Sequence, residues 1–445
     1  MYDLALIKYE KPLESLRKAI ELCSGFAGLA SGQRVVIKPN LVIWLEGVNF
    51  PKFGVLTTAR MIEDLVLLLR EQGVRDITLL EGAVEYEKGG ESVVAQAARG
   101  MNLTKLSRQY GLKVLDVHRG SFRKVEVDGL EFAVSEFIFA ADFIIDLPVL
   151  KTHSQSRVSL GVKNLKGLLN IPSRKRCHNA SSEQGLDHYL ARLPDLVWPS
   201  LTIIDGIFSL ERGPLYTGLA RRADLILASR DVIAADQAAA ALLGFAPAEI
   251  PYLKMAADKR GRPSDLSDVN LLGGVDLRGT LPSHAWKFEQ DHEAGVPEFM
   301  AKAGIQGIQY PEADDSLCTY CSHFINYIIM GILSAKNKNQ PFDQIEILYG
   351  KKQRPSGKAR HTLLAGQCQV RANAKNRLIK HCVQIKGCPP SLADFMAAYA
   401  ELGIELPEGF AQWMQQSPET LHMRRYLKDP AFDQGLFRLA DEAGK

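Results

Sequence analysis

A dense group of basic side chains occupies one stretch of the sequence, residues 151–178. The stretch contains Lys151, His153, Arg157, Lys163, Lys166, Arg174, Lys175, Arg176 and His178. Between Asp146 and Glu183 the sequence has no acidic residue to offset these charges. The stretch directly follows an apolar run, 143–150, that is typical of a buried strand. A cationic segment at the end of a core strand indicates an anionic ligand, and the alternative is a solvated basic face.

Several of these side chains have spacings suited to holding a phosphate or carboxylate. Lys163 and Lys166 stand one helical step apart, so they would share one face of a helix. Asn164 and the backbone N–H groups at the start of that helix would supply further donors. His153 is the candidate for proton transfer, with Lys151 beside it, because the unperturbed pKa of histidine lies near neutrality. The alternative is that His153 caps or hydrogen-bonds a loop.

Charged residues also follow apolar runs elsewhere in the chain, at Lys38, Glu81, Lys151, Asp205 and Asp231. Ligands of open α/β sheets bind at the carboxyl ends of the strands, so we expect these residues to converge on one site. The predicted substrate-binding set is Lys38, Asn40, Glu81, Lys163, Asn164, Lys166, Asp205, Asp231 and Asp236. Its aspartates would neutralise the lysines or hold a divalent ion beside a bound phosphate. The sequence contains neither a P-loop run nor a Gly-x-Gly-x-x-Gly run, so it indicates no nucleotide fold of those kinds.

Five of the seven cysteines fall in one later segment, residues 318–388. Cys318 and Cys321 form a CxxC pair at the start of a predicted helix. Cys368 follows a predicted strand, and Cys388 precedes two prolines. Four thiolates complete either a zinc site or a [4Fe–4S] cluster, and the spacing alone leaves both open. The proline after Cys388 and the long gap before Cys368 favour the cluster over a compact zinc ribbon. Cys382 is either a substitute ligand or a core thiol, and we favour the core thiol.

The elements that must position these residues follow an alternating pattern. Strand-like runs at 34–37 and 76–80 flank a helical pattern that Thr57 or Thr58 would cap, and a hairpin pattern covers 122–138. Alternating strands and helices predict an α/β fold, with a mostly parallel sheet flanked by helices and a smaller C-terminal α/β iron–sulfur domain. The predicted domains are 1–300, a cysteine-rich 301–395 and a helical C-terminal tail, 396–445.

The bulk composition excludes some classes of function. The net charge is only +3, so the basic stretch is local and nucleic acid is not an expected partner. The apolar runs fall short of the roughly 18 to 20 residues that span a bilayer, so no membrane partner is expected. The first fifteen residues lack the pattern of a secretory signal, and we expect a cytoplasmic protein.

The motifs of the first 250 residues resemble those of a known family. They are Lys38-Pro39-Asn40-Leu41, the Thr57-Thr58 helix start, Lys151-Thr152-His153, the run GVKNLKG at 161–167, Ile204-Asp205-Gly206, and Asp231 with Asp236. Together they resemble the DUF362 family over roughly residues 1–250, and the KTH…KNLKG signature is quite specific. The cysteine segment is similar to the cluster-binding C-terminal portion of the longer members, which have a CxxC pair, a Gly-x-Cys and a Gly-Cys-Pro-Pro.

This resemblance implies a [4Fe–4S] cluster held by Cys318, Cys321, Cys368 and Cys388. It implies no particular reaction. The chain also lacks the two-cluster ferredoxin insert of many relatives, so an internal electron relay is not indicated.

Taken together, these patterns predict an iron–sulfur protein that is a redox enzyme and acts on a small anionic metabolite at the Lys/His-rich site. One alternative is a non-catalytic electron carrier or assembly partner whose basic stretch docks an acidic redox partner protein. A weaker alternative is a zinc-stabilised binding protein. The trailing Arg174-Lys175-Arg176 is expected to be solvated surface or a mobile flap.

Overall fold

The computed structural model describes residues 1–84, 90–181, 183–415 and 419–441. The chain divides into two compact units. Unit 1 comprises Met1–Arg176, Asp187–Lys287 and Glu419–Lys445, and unit 2 comprises Cys177–Leu186 and Phe288–Pro418. The segment 396–445, predicted as one helical tail, is therefore divided between the two units.

Unit 1 contains the longer series of strands. They are β1 (Tyr2–Lys8), β2 (Arg34–Pro39), β3 (Asp76–Glu81), β4 (Lys113–Asp116), β5 (Phe122–Val127), β6 (Leu130–Ser135), β7 (Phe143–Leu147), β8 (Val149–His153), β9 (Arg157–Val158), β10 (Leu201–Glu211), β11 (Leu219–Ser229) and β12 (Val269–Leu272). Its helices are α1 (Glu14–Leu22), α2 (Ala59–Glu71), α3 (Val93–Gly100), α4 (Thr104–Tyr110), α5 (Glu136–Phe139), α6 (Gly161–Asn164), α7 (Ile171–Arg176), α8 (Leu186–Leu190), α9 (Leu193–Leu196), α10 (Val232–Leu242) and α11 (Pro251–Asp258). Short 3₁₀ helices cover Val117–Arg119, Leu165–Leu168, Pro247–Glu249 and Gln434–Phe437.

Unit 2 has shorter elements. Its strands are β13 (Gln290–Asp291), β14 (Val296–Pro297), β15 (Ile308–Gln309), β16 (Ile345–Leu348), β17 (His361–Ala365) and β18 (His381–Ile385). Its helices are α12 (Glu298–Lys302), α13 (Thr319–Ser334), α14 (Gln367–Asn373), α15 (Leu392–Glu401) and α16 (Phe410–Gln415), and the later α17 (Glu419–Met423) belongs to unit 1.

The main sheet of unit 1 has the strand order β12-β1-β11-β10-β7-β2-β3-β4. The strands β10, β7, β2, β3 and β4 are parallel to one another. Only β11 interrupts the pattern among these eight strands, since it is antiparallel to both β10 and β1. Pro148 separates β7 from β8, which pairs with the later part of β10. A mostly parallel sheet flanked by helices is thus confirmed.

The helix α2 shows how local sequence builds this unit. The Thr58 side chain accepts a hydrogen bond from the backbone N–H of Met61 and caps the helix. Met61, Leu65 and Leu69 recur at helical spacing and are fully buried in the core beneath the sheet. The predicted hairpin is also confirmed, because β5 and β6 pair antiparallel.

Two strands differ from the sequence pattern. The predicted strand 201–204 extends to Glu211, so Asp205 lies inside β10 instead of following it. The strand can continue through this charged residue because the Asp205 carboxylate accepts hydrogen bonds from the backbone N–H and hydroxyl of Thr58, both at 2.8 Å. The strand before Asp231 runs against its neighbours, so its carboxyl end is not at the edge where those of β2, β3 and β7 lie.

Unit 2 contains a four-stranded parallel sheet in the order β15-β16-β17-β18. Its core joins Ile345 and Ile347 of β16 to Ile328 and Ile332 of α13 and to the buried Tyr399 of α15. The smaller C-terminal α/β region is therefore confirmed as a fold. Among the helices that the structure describes, none combines the length and apolar character needed to cross a membrane.

Candidate functional site

Four cysteines lie near the carboxyl edge of the unit 2 sheet. The ends of β17 and β18 are paired through Ala365 and Ile385, so the segments that follow them, with Cys368 and Cys388, leave the same edge. The Gln367 N–H donates to the Gly387 carbonyl at 3.0 Å and holds the two segments together. These contacts explain how residues twenty positions apart reach one place.

The other two cysteines come from the start of α13. Cys318 occupies the N-cap position, and Cys321 lies on the first turn of the helix. A Cβ added at Gly366, which adopts a φ of +89°, would lie 3.2 Å from the Cys321 sulfur. A glycine therefore permits this sulfur to approach the end of β17 closely.

The thiols influence one another strongly. The Cys321 thiol interacts electrostatically with those of Cys318, Cys368 and Cys388. A hydrogen bond from Cys321 lowers the pKa of Cys318 to about 5, and the same bond together with burial raises the pKa of Cys321. Lys351 contributes positive charge beside Cys318 and Cys368. Thiolates at this edge would therefore be partly neutralised by a cation of the same unit.

The four cysteines differ in how far they are shielded from solvent. A small apolar cavity touches Cys321 and is lined by Phe324, Ile325, Ile328, Ala365, Ile385, Pro390 and Phe395. Cys388 is exposed, whereas Cys318 is buried. Among the residues that the structure describes, no group of three or more His, Cys, Asp or Glu side chains could hold a single metal ion.

Cys382 does not join this group. It lies near the start of β18, three residues or about 10 Å along the strand from Ile385 at the carboxyl end. Its sulfur accepts a hydrogen bond from the Gln384 amide at 3.6 Å. The geometry thus separates the fifth cysteine of the segment from the other four.

Unit 1 brings together a second set of predicted residues in a buried polar network, which comprises Lys38, Asn40, Glu81, Asp146, Lys151 and Asn164. The Lys38 ammonium lies 2.9 Å from Glu81 Oε1, and both side chains are at most 3% exposed. Lys38 also donates to the Pro39 carbonyl at 2.6 Å and to Asn164 Oδ1 at 3.3 Å. Glu81 accepts from the backbone N–H of Leu41 at 2.7 Å. The ion pair is therefore tied to the segment around the end of β2 and to α6.

The Lys151 ammonium is bonded within the same network. It donates to Asn40 Oδ1 at 2.6 Å and to the Val55 carbonyl at 2.7 Å. Burial lowers the pKa of Lys151 to about 7, with repulsion from Lys38 acting in the same direction. Asn40 in turn donates to Asn164 Oδ1 at 2.9 Å, which links the two lysines.

Asp146 is a member of the network that the sequence did not single out. Its Oδ1 accepts from the Asn164 amide at 2.8 Å, and its buried Oδ2 has no hydrogen-bond partner. Burial raises the pKa of Asp146 well above the usual range. Asp146 lies in register with Lys38 on the neighbouring strand. This relation becomes visible only when the strand pairing is known.

The three predicted aspartates outside the network have local roles. Asp236 accepts from the backbone N–H groups of Gly161 and Val162, and burial raises its pKa to about 8. Asp231 caps α10 and lies 2.6 Å from the Arg262 guanidinium. Asp205 is bonded to Thr58 as described above. The structure therefore does not gather these carboxylates around the lysines.

The remaining predicted residues flank the network. His153 ends β8 and is buried, and its Nδ1 accepts from the Gln155 N–H at 3.1 Å. Lys163 lies on α6, and Lys166 lies on the following 3₁₀ turn. The expectation that Arg174 is solvated was wrong. Its guanidinium is half-buried and donates to the carbonyls of Gly82, Gly167 and Leu169.

Comparison with known proteins adds the following. The thylakoid-associated protein sll1697 from Synechocystis sp. is 28% identical over 256 residues, which cover 56% of this chain and 74% of that protein. A lactate racemase apoprotein structure from Thermoanaerobacterium thermosaccharolyticum aligns with a TM-score of 0.32 and 12% identity. That alignment covers 50% of this chain and only 53% of the racemase chain, and a likeness this small supports no inference. Residues 35–241 match the sequence model of the family described as "Domain of unknown function (DUF362)", in agreement with the resemblance of the motifs in this part of the chain.

Proposed function

We propose that this protein holds a [4Fe–4S] cluster with Cys318, Cys321, Cys368 and Cys388 and uses it for electron transfer. The observation that supports the proposal is the convergence of these four cysteines on one edge of the unit 2 sheet. Four cysteine thiolates are the usual ligand set of such a cluster.

The spacing of the cysteines along the chain favours a cluster over a single zinc ion. The interval from Cys321 to Cys368 is much longer than that of a compact zinc ribbon. Cys388 is followed by a proline, as is common in segments that bind iron–sulfur clusters.

The residues around the cysteines would support electron transfer in distinct ways. Lys351 would offset part of the negative charge of the thiolates. The apolar side chains beside Cys321 would exclude water from one side, and the exposed Cys388 marks the side closest to solvent. A cluster with four cysteine ligands has no open position for a substrate, so its contribution when bound is the transfer of single electrons.

The cluster is tested by reconstituting the purified full chain with iron and sulfide under anaerobic conditions. Cys388→Ser should lose most of the bound iron and the visible absorption of a cluster, while Cys382→Ser should retain both. Cys382 is the matched control because it lies in the same sheet but away from the four ligands. Equal iron binding by wild type and Cys388→Ser would contradict the proposal.

We propose a small anionic metabolite as the substrate of a redox reaction, with the buried polar network as its site. Groups with displaced pKa values cluster at functional sites, and Lys151 and Asp146 both belong to this class. The unpartnered Oδ2 of Asp146 is also a polar atom that a ligand could satisfy. In this proposal Lys151 and His153 would bind the anion and transfer a proton.

A second candidate function is that of an electron carrier without a substrate of its own. It is favoured by the bonding of Lys38 and Lys151, whose ammonium groups already contact protein oxygens. A panel of inorganic phosphate, pyruvate and citrate separates the two in a thermal unfolding assay. A substrate at one hundred times its Kd should stabilise the protein by about 2.7 kcal/mol. Stabilisation that is lost in His153→Ala but kept in Lys175→Ala supports the enzyme, and the absence of any shift supports the carrier.

A further inference from the structure

The segment around Cys368 and Cys388 carries a large excess of positive charge. Between Glu346 and Asp394 the sequence has ten lysines and arginines and no acidic residue. This segment lies wholly in unit 2, whereas the basic stretch of residues 151–178 lies almost wholly in unit 1. The excess of positive charge around the cysteines is therefore a separate cationic feature of the protein.

The helix α14 presents part of this charge to solvent. Arg371 follows Cys368 by three residues, and Lys375 comes four residues later, directly after the helix, so the three side chains lie along one side. Arg371 and Lys375 are both exposed. The opposite side of α14 packs inward, because Gln369 and Asn373 are buried. The basic side of α14 is therefore open to a partner.

Lys386 adds a third cation next to the cysteines. It lies between the end of β18 and Cys388, and both Lys386 and Cys388 are exposed. The Gln367 N–H donates to the Gly387 carbonyl at 3.0 Å, and this hydrogen bond joins the segment to the start of α14. Three exposed cations therefore lie on the two segments that carry Cys368 and Cys388. We call them the basic face, which consists of Arg371, Lys375 and Lys386.

The protein does not neutralise the charge of the basic face. Within the part of the chain that the structure describes, none of its three side chains forms an ion pair with a carboxylate. By contrast, Arg360 of the same segment lies 2.8 Å from Asp343. Burial raises the pKa of Cys368, and the positive charges of Lys351 and Arg371 act against this rise. The basic face therefore projects positive charge both to solvent and towards a cysteine.

We propose that the basic face docks an acidic electron-carrier protein beside Cys388. The proposal rests on the [4Fe–4S] cluster proposed above, because docking at this exposed cysteine brings the redox centre of the carrier close to the cluster. One electron leaves the reduced centre of the carrier and enters the cluster, so the carrier is oxidised and the cluster is reduced while no covalent bond changes. Complementary charges accelerate the encounter of two proteins and orient them. Electron-transfer complexes have small interfaces, so a few well-placed cations are sufficient.

A nucleic acid is the other polyanion that a basic face can attract. Proteins that bind single strands combine cations with aromatic side chains on which the bases stack. Residues 350–390 contain no Phe, Tyr or Trp. The cations of the basic face therefore lack this second component, which favours an acidic protein as the partner.

The test is the affinity of the full chain, reconstituted with iron and sulfide, for an oxidised plant-type ferredoxin, which is a small acidic [2Fe–2S] protein. Calorimetry at low ionic strength measures the affinity. Arg371→Glu combined with Lys375→Glu should weaken binding at least about tenfold, and added salt should weaken wild-type binding. Lys302→Glu combined with Lys336→Glu is the matched control, because it makes the same change of charge at two exposed lysines of unit 2 outside the basic face. The control should bind nearly as wild type does.

The iron content and circular dichroism of every variant are recorded, so that loss of docking is separated from loss of the cluster or of the fold. Equal affinity in the two double variants, or no binding by wild type, would overturn the docking proposal. Tighter wild-type binding to a single-stranded DNA than to the ferredoxin would overturn it in favour of a nucleic acid. A wild-type chain that binds the ferredoxin through the basic face but takes up no iron would refute the cluster and not the docking surface.

Discussion

The ion pair between Lys38 and Glu81 is a buried contact of unit 1 that should be costly to break from one side. Glu81→Gln keeps the shape of the side chain but leaves the Lys38 ammonium, which is 1% exposed, without its carboxylate. Breaking a buried ion pair by removing one partner destabilises a protein by about 3–5 kcal/mol. Lys38 would retain the Pro39 carbonyl and the Asn164 amide oxygen as acceptors. We therefore expect a loss at the lower end, about 3 kcal/mol.

Urea unfolding followed by tryptophan fluorescence measures this loss, because Trp44, Trp198 and Trp286 lie in unit 1 and only Trp413 lies in unit 2. Asp76→Asn is the control, since it breaks the exposed pair with Lys113, whose side chain is 58% exposed. An exposed pair contributes about 1 kcal/mol or less.

A double-mutant cycle completes the experiment. Lys38→Met combined with Glu81→Gln removes both charges, so the double variant should lose less free energy than the two single variants together, by more than about 1 kcal/mol. The reasoning is refuted if Glu81→Gln is no less stable than Asp76→Asn, or if the two substitutions are additive.

Two further predictions concern the same network. The folded-state pKa of Lys151 is about 7, whereas an unfolded lysine has a pKa of about 10.4. Between these two pH values the unfolded state binds more protons than the folded state. The free energy of unfolding therefore rises with pH in this range. The free-energy advantage of wild type over Lys151→Met should therefore grow from about pH 7 to about pH 10 in urea titrations, and a difference that is constant with pH would contradict this. A Cβ at Gly167 would lie 2.5 Å from Lys38 Cε, so Gly167→Ala should cost about 1–3 kcal/mol of unfolding free energy. Gly32→Ala meets no atom within 4 Å and should stay within about 0.5 kcal/mol of wild type.

The parts of the structure that depend on local sequence were predictable. Apolar residues at helical spacing after Thr58 specified α2 and its cap, and the pattern at 122–138 specified the hairpin of β5 and β6. The CxxC pair was also placed correctly at a helix start, and Cys368 after a strand, because neither position depends on distant contacts. The strand β18 that precedes Cys388 was not predicted.

The environment of the charged residues could not be predicted in the same way. The acceptors of Lys151 include the Val55 carbonyl, which is 96 positions away in the chain. Asp205 is satisfied by Thr58, 147 positions away, and this contact allows a strand to continue where the local pattern indicated its end. The direction of β11 is likewise a property of strand pairing, so the position of Asp231 could not be read from the apolar run before it.

The same limit applies to the basic run at Arg174. Three carbonyl groups, including that of Gly82, satisfy its guanidinium. Composition alone indicated a solvated charge, because it contains no information about which backbone groups remain unpaired nearby.

The iron and acid-labile sulfide content of the anaerobically purified wild-type chain tests the central claim most directly. We predict about four iron atoms and about four sulfides per chain, held by Cys318, Cys321, Cys368 and Cys388. A chain that carries one zinc ion and no sulfide would contradict the account.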